Sequence, residues 1–157
     1  MPWTRTAERR QSGAPAVGRS PGVTVSGRPA PLSRAAIIRA AELVLLREHR
    51  SALLSISLVG RDRMRALNLR WKGKPGPTDV LAFPLPGPAG TLAGDIYLCP
   101  WVAAREARAR RIPLRQELER LVVHGVLHVL GFAHPEGSGR EDSPMWRRQE
   151  RYLKALQ

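Results

Sequence analysis

Leu121-Val122-Val123-His124-Gly125-Val126-Leu127-His128-Val129-Leu130-Gly131-Phe132-Ala133-His134 holds three of the four histidines of this chain. Wound at 3.6 residues per turn, Leu121 to Leu130 is apolar nearly all round, so the helix it forms belongs in the middle of the domain. His124 and His128 are four apart, which projects both rings from one face about a turn from each other. That spacing lets two imidazoles share one metal ion. Gly131 is placed to cap the helix with a positive φ. The turn Phe132-Ala133 then returns His134 toward the first two rings. Three imidazole ligands leave the fourth tetrahedral position for water, as in catalytic rather than structural zinc sites. A lone pair of histidines at this spacing is readily explained as one core and one surface side chain. Two histidines on a buried helix, a capping glycine and a third histidine are better explained by one ion, because burying unpaired imidazoles is costly.

Outward from this helix, strands come early and helices late. Gly22–Gly27 reads as a short strand, and Pro31-Leu32-Ser33 opens a helix carrying Ala36, Ile37, Ala40, Leu43, Val44 and Leu46 at helical spacing. Leu53–Val59 is a β-type run ended by Gly60, and residues 61–70 form a short basic helix. Gly73-Lys74-Pro75-Gly76-Pro77 must be a loop. Strands are expected at Asp79–Phe83 and Thr91–Leu98, joined by the Pro/Gly-rich Pro84–Gly90. Helices follow from Trp101, with breaks at Pro113 and Gly131–Gly139, and a final amphipathic helix spans Pro144–Leu156. This order predicts an α+β fold with one mixed sheet.

The 157 residues suit a single domain, and 43% apolar content suits a globular one. No apolar run reaches the roughly 20 residues that span a bilayer, so no membrane association is expected. Cys99 is the single cysteine, which excludes an internal disulfide and makes a reducing cytoplasm the expected compartment. Residues 1–21 are rich in Arg, Ser, Gly and Pro without apolar periodicity, and read as a disordered basic arm preceding a domain over 22–157. An Arg-rich transit peptide or an early start codon would give the same pattern. Twenty-six Lys and Arg against thirteen Asp and Glu give a net charge of +13, which favours a polyanionic partner. Charge names a partner class and not a reaction.

The segment His124–His134, with Met145 beyond it, resembles the signature of the YbeY family, metal-dependent endoribonucleases of bacterial ribosomal RNA maturation. Two further blocks carry the resemblance. Asn68 to Pro84 is similar to a family segment with an asparagine, an aromatic-plus-basic pair and a PT[DN]VLSFP stretch, and Gly94-Asp95-Ile96 matches the family's GDI strand. The resemblance covers roughly Val23 to the C-terminus, with the blocks in the family's order. It implies a small α+β domain, distantly zincin-like, with about four strands packed on helices. It implies one Zn²⁺ per chain on His124, His128 and His134. It also implies cleavage of single-stranded RNA in the 3′-end maturation of small-subunit ribosomal RNA and in ribosome quality control. Two positions depart from the family pattern: Ala133 stands where Asp usually precedes the third histidine, and Lys72 follows the aromatic where Arg is usual.

On this reading Lys72 offsets charge building up at the phosphate, with Arg70 beside it, and Trp71 stacks an unpaired base. A packing role explains Trp71 equally well. Asp79 and Asp95 are candidate water-orienting groups, although strand-end and turn roles suit both better. Two rival readings are a zinc peptidase and a ribosome-associated protein whose zinc only holds the fold. The first lacks the HExxH glutamate, since Gly125 occupies that position. The second needs a fourth protein ligand, for which Cys99 is the candidate.

Overall fold

The computed structural model describes residues 22–27 and 30–157; the basic arm expected over 1–21 lies outside the described residues. Among the described residues the strands and α-helices follow in order: β1 (Val23–Gly27), α1 (Arg34–Arg47), β2 (Ala52–Leu58), α2 (Arg61–Lys72), β3 (Val80–Pro86), β4 (Leu92–Leu98), α3 (Pro100–Arg110), α4 (Leu114–Val129) and α5 (Pro144–Leu156). The ends are set locally. Ser33 accepts a hydrogen bond from the Ala36 N–H at 3.1 Å and caps α1. Ser143 does the same for α5 through Trp146 N–H at 3.2 Å, with Pro144 in the first turn, where its missing N–H costs nothing.

The strands form one mixed sheet in the order β1-β2-β4-β3. β1 runs parallel to β2 and β2 parallel to β4, while β3 is antiparallel to β4. The α+β class with four strands is therefore as expected. One boundary differs: β3 continues through Pro84 to Pro86, residues read from sequence as connecting loop. β3 is an edge strand paired only with β4, so prolines sit there without breaking a ladder on both sides.

Side chains alternate along β2, with Leu54, Ile56 and Leu58 buried and Leu53 and Ser55 exposed. The buried face joins Ile37, Ala40, Ala41 and Val44 of α1 and the apolar side chains of α4 in the main core. α4 is buried at twelve of its sixteen residues, which makes it the central helix. Two glycines let it lie close to the sheet. A Cβ on Gly125 would meet Ile96 Cγ2 at 2.8 Å, and one on Gly94 would meet Val129 Cγ2 at 2.5 Å. A smaller cluster of Val59, Met64, Leu81 and Cys99 fixes α2 beside the other end of β3 and β4. That placement brings the C-terminal turn of α2 toward the end of α4. No helix among the described residues is long and apolar enough to cross a membrane.

Candidate metal centre

α4 ends in a paired-bond cap. Gly131 takes φ +98°, its N–H donates to His128 O at 3.0 Å, and the Phe132 N–H donates to Leu127 O at 3.0 Å. This left-handed closure satisfies two orphan carbonyls and reverses the chain. It brings His134 back onto the exposed end of the helix, as the sequence predicts.

The three Nε2 atoms converge: His124 to His128 is 3.0 Å, His128 to His134 is 3.2 Å and His124 to His134 is 3.3 Å. No proton arrangement of three neutral rings satisfies all three contacts, because each Nε2 either donates or accepts and three mutual contacts always leave one like pair. The other nitrogens show where those protons lie. His124 Nδ1–H donates to Gln149 Oε1 at 2.6 Å, and His134 Nδ1–H donates to the Pro135 carbonyl at 2.9 Å. The Phe132 backbone acts on the His128 ring in the direction that raises its pKa. Three Nε2 lone pairs are thus aimed at one point. Tetrahedral ligands about 2.05 Å from a zinc ion would stand about 3.3 Å apart, so the donor set fits a small divalent ion of this kind. Among the described residues, no other group of His, Cys, Asp and Glu has this convergence.

Burial keeps the His124 and His128 rings neutral. His124 is 4% exposed, and desolvation, reinforced by His128, pushes its pKa down to about 3. Desolvation lowers His128 also, with His134 as the second cause. Neutral imidazole is the metal-binding form.

Gln149 is 1% exposed and ties the site to the protein interior. Its Nε2–H donates to Glu150 Oε1 at 3.2 Å. Glu150 accepts both teeth of the Arg120 fork, at 2.8 Å from Nε and 3.2 Å from Nη2, and Arg120 Nη1 reaches Glu117 Oε2 at 2.9 Å. Desolvation raises the pKa of Glu117 in spite of Arg120. A continuous polar chain therefore runs from His124 across the α4–α5 interface.

The histidines open into a cleft of about 360 Å³ whose other walls include Asn68, Lys72, Thr78, Asp79 and Arg140. Asn68 Nδ2–H donates to Gly76 O at 3.0 Å and pins the Gly73–Pro77 loop at the rim. Lys72 lines this cleft, 5.9 Å from the Phe83 ring centroid. Asp79 also lines it, and Oδ1 accepts from the Val80 N–H at 2.8 Å. Arg70 and Trp71 are not in the wall: their side chains lie against each other, 5.1 Å from guanidinium to ring centroid, and Trp71 is 58% exposed. Asp95 lies on β4 facing a separate hollow. Cys99 is buried in the small cluster by α2 and is not among the converging side chains. Gly125 points at Ile96, so the position after the first histidine faces the sheet and not the cleft. Sequence reading did not single out Gln149 or Arg140. For Gln149 a signal existed, a polar residue at helical spacing between the apolar Met145 and Leu153.

A family profile described as Endoribonuclease YbeY matches residues 32–157. The endoribonuclease YbeY of Thermobifida fusca is 42% identical over 120 residues, covering 71% of this chain and 77% of that protein. The one from Nocardia farcinica is 42% identical over 116 residues, covering 67% of this chain and 62% of its own length. The solution structure of TM1509 from Thermotoga maritima superposes with a TM-score of 0.60 at 27% identity, covering 85% of this chain and 88% of that one.

Proposed function

The chain belongs to the YbeY family of endoribonucleases, and on that footing we propose that it cuts single-stranded RNA at a zinc site formed by His124, His128 and His134. The observation that carries this reading is the convergence of three Nε2 atoms, 3.0–3.3 Å apart, at the floor of a cleft whose wall carries Lys72 and Arg140. A zinc ion bound there would supply a Lewis acid for a phosphate oxygen and lower the pKa of water at the open position. The residues of the chain do the rest. Gln149 and the Pro135 carbonyl hold the His124 and His134 rings in the tautomer that leaves Nε2 free. Lys72 places a point charge where the phosphate gathers negative charge, without the planar fork of an arginine. Arg70 and Trp71 form an exposed pair outside the cleft wall, where Trp71 stacks a base of the strand approaching it. The net charge of +13 draws RNA to the surface. The substrate in the cell is ribosomal RNA of the small subunit, matured at its 3′ end in the cytoplasm.

The test is incubation of the purified protein with single-stranded RNA, duplex RNA and unfolded casein, each with and without a chelator. Cleavage of single-stranded RNA alone, abolished by chelator and restored by zinc, is expected. Intact RNA with one zinc bound per chain would overturn the nuclease reading, and cleaved casein would replace it with a peptidase. Accumulation of 3′-extended small-subunit RNA in depleted cells is the expected cellular signature.

A further inference from the structure

Behind His124 lies a second cavity of about 320 Å³, between the loop before β3, α3, α4 and the start of α5. It shares Thr78, Asp79, His124 and Arg140 with the three-histidine cleft, so the two are compartments of one groove. Its volume is at the lower end of the about 300–1,000 Å³ of small-ligand pockets.

Arg140 is the one cation common to both compartments. The other arginines of the second cavity are committed: Arg120 spends its fork on Glu150 and Glu117, and Arg110 lies 4.0 Å from Glu117. Lys74 is paired with Glu136 at 3.6 Å. Arg140 has no carboxylate partner among the described residues. Its Nε is buried without a hydrogen-bond acceptor, and its guanidinium is held 5.7 Å from the centroid of the Trp146 ring. A buried N–H with no acceptor carries a desolvation penalty that a ligand oxygen would relieve.

We propose that the second cavity is a nucleotide subsite of the RNA groove and that Arg140, on the shared wall, grips the phosphate next to the one at the histidines. This rests on the reading of the site as an RNA cleft. The guanidinium offers parallel N–H donors to two phosphate oxygens, a geometry that Lys72 does not supply. The carboxylates of Asp79 and Glu106 disfavour a second phosphate inside the cavity. They suit the hydroxyl and N–H donors of a sugar and base. Arg140 thus sets the register of the strand: phosphate at the wall, sugar and base in the second compartment, scissile bond over the histidines.

The experiment measures binding of a fluorescein-labelled single-stranded oligouridylate by anisotropy at several salt concentrations, with chelator present to halt cleavage. Zinc stoichiometry and zinc-loaded cleavage are measured in parallel. Arg140→Ala is expected to weaken binding about tenfold, a loss within the range of one charged hydrogen-bonded contact. It should also flatten the slope of log K against log salt by about 0.7, one single-strand phosphate. Zinc stoichiometry should stay at the wild-type value. Arg140→Lys is expected to keep the salt slope and recover only part of the affinity, which keeps the test open if the alanine variant unfolds. Arg39→Ala, an exposed arginine on α1, should change binding less than twofold. Wild-type affinity in Arg140→Ala, or in Arg140→Lys, overturns the assignment to Arg140 while leaving the nuclease intact. A wild-type protein that neither binds nor cuts the RNA removes the underlying reading instead.

Discussion

His124 Nδ1 and Gln149 Oε1 stand 2.6 Å apart, twenty-five residues apart in sequence, so the ring that faces the metal position is held by α5 and not by its own helix. The bond fixes the tautomer that leaves Nε2 free, and through Glu150 it is continuous with the buried Arg120 pair.

Gln149→Leu should therefore weaken zinc binding by about 10- to 100-fold, the usual effect of removing a ligand's hydrogen-bond partner. Gln149→Glu keeps an acceptor for His124 and should retain most of the affinity, while setting a carboxylate beside Glu150 and lowering the melting temperature. Competition against a chromophoric chelator separates the two outcomes. Equal affinities in both variants and wild type would show that Gln149 only packs.

His128→Ala is expected to lose stoichiometric zinc and reduce RNA cleavage to background. Atomic absorption and a gel assay on the same sample check both. A variant that keeps full nuclease activity would sink the metal mechanism.

Stability of the metal-free protein should fall with acid. Burial holds His124 near 3 in the fold against an ordinary 6.5, and lowers His128 in the same direction. The unfolded chain therefore binds more protons between these values. The contribution is fully present above about 6.5 and is lost progressively as pH falls toward 3. Zinc, which binds the folded form, should move the acid midpoint lower. Chemical denaturation at a series of pH values with and without zinc tests this. Flat metal-free stability from pH 7 to 4 would contradict the buried, neutral rings.

Arg120→Ala should destabilise the fold by about 3–5 kcal/mol, because Glu117, with a side chain only 2% exposed, loses its close partner. Thermal unfolding would report it. Glu117→Gln combined with Arg120→Met should recover much of the loss, since a neutral pair removes the uncompensated charge.

Much of this was legible because it is local. The His124–His128 spacing, the capping Gly131 and the serine caps each act within a few residues, where helical geometry ties sequence to position. The three-histidine site could be assembled from one eleven-residue segment for that reason. The partners of Gln149 and Arg140 could not: the spacing of Met145, Gln149 and Leu153 marks a buried face, but what it meets depends on how α5 and the turn before it dock on α4. The extension of β3 through Pro84 and Pro86 was hidden for a related reason. Proline forbids a central strand but not an edge, and edge position is a property of the whole sheet. Arg70 and Lys72 illustrate the same limit. They are two residues apart on α2, yet only Lys72 lines the cleft.

Gly125 has an evolutionary consequence. A single substitution, Gly125→Glu, would write the peptidase signature HExxH into this helix. Yet a Cβ at that position already meets Ile96 at 2.8 Å, and the residue faces the sheet. The mutation would unseat the central helix before it delivered a base to the cleft. Packing against the sheet thus closes the shortest sequence route from this helix to a peptidase motif.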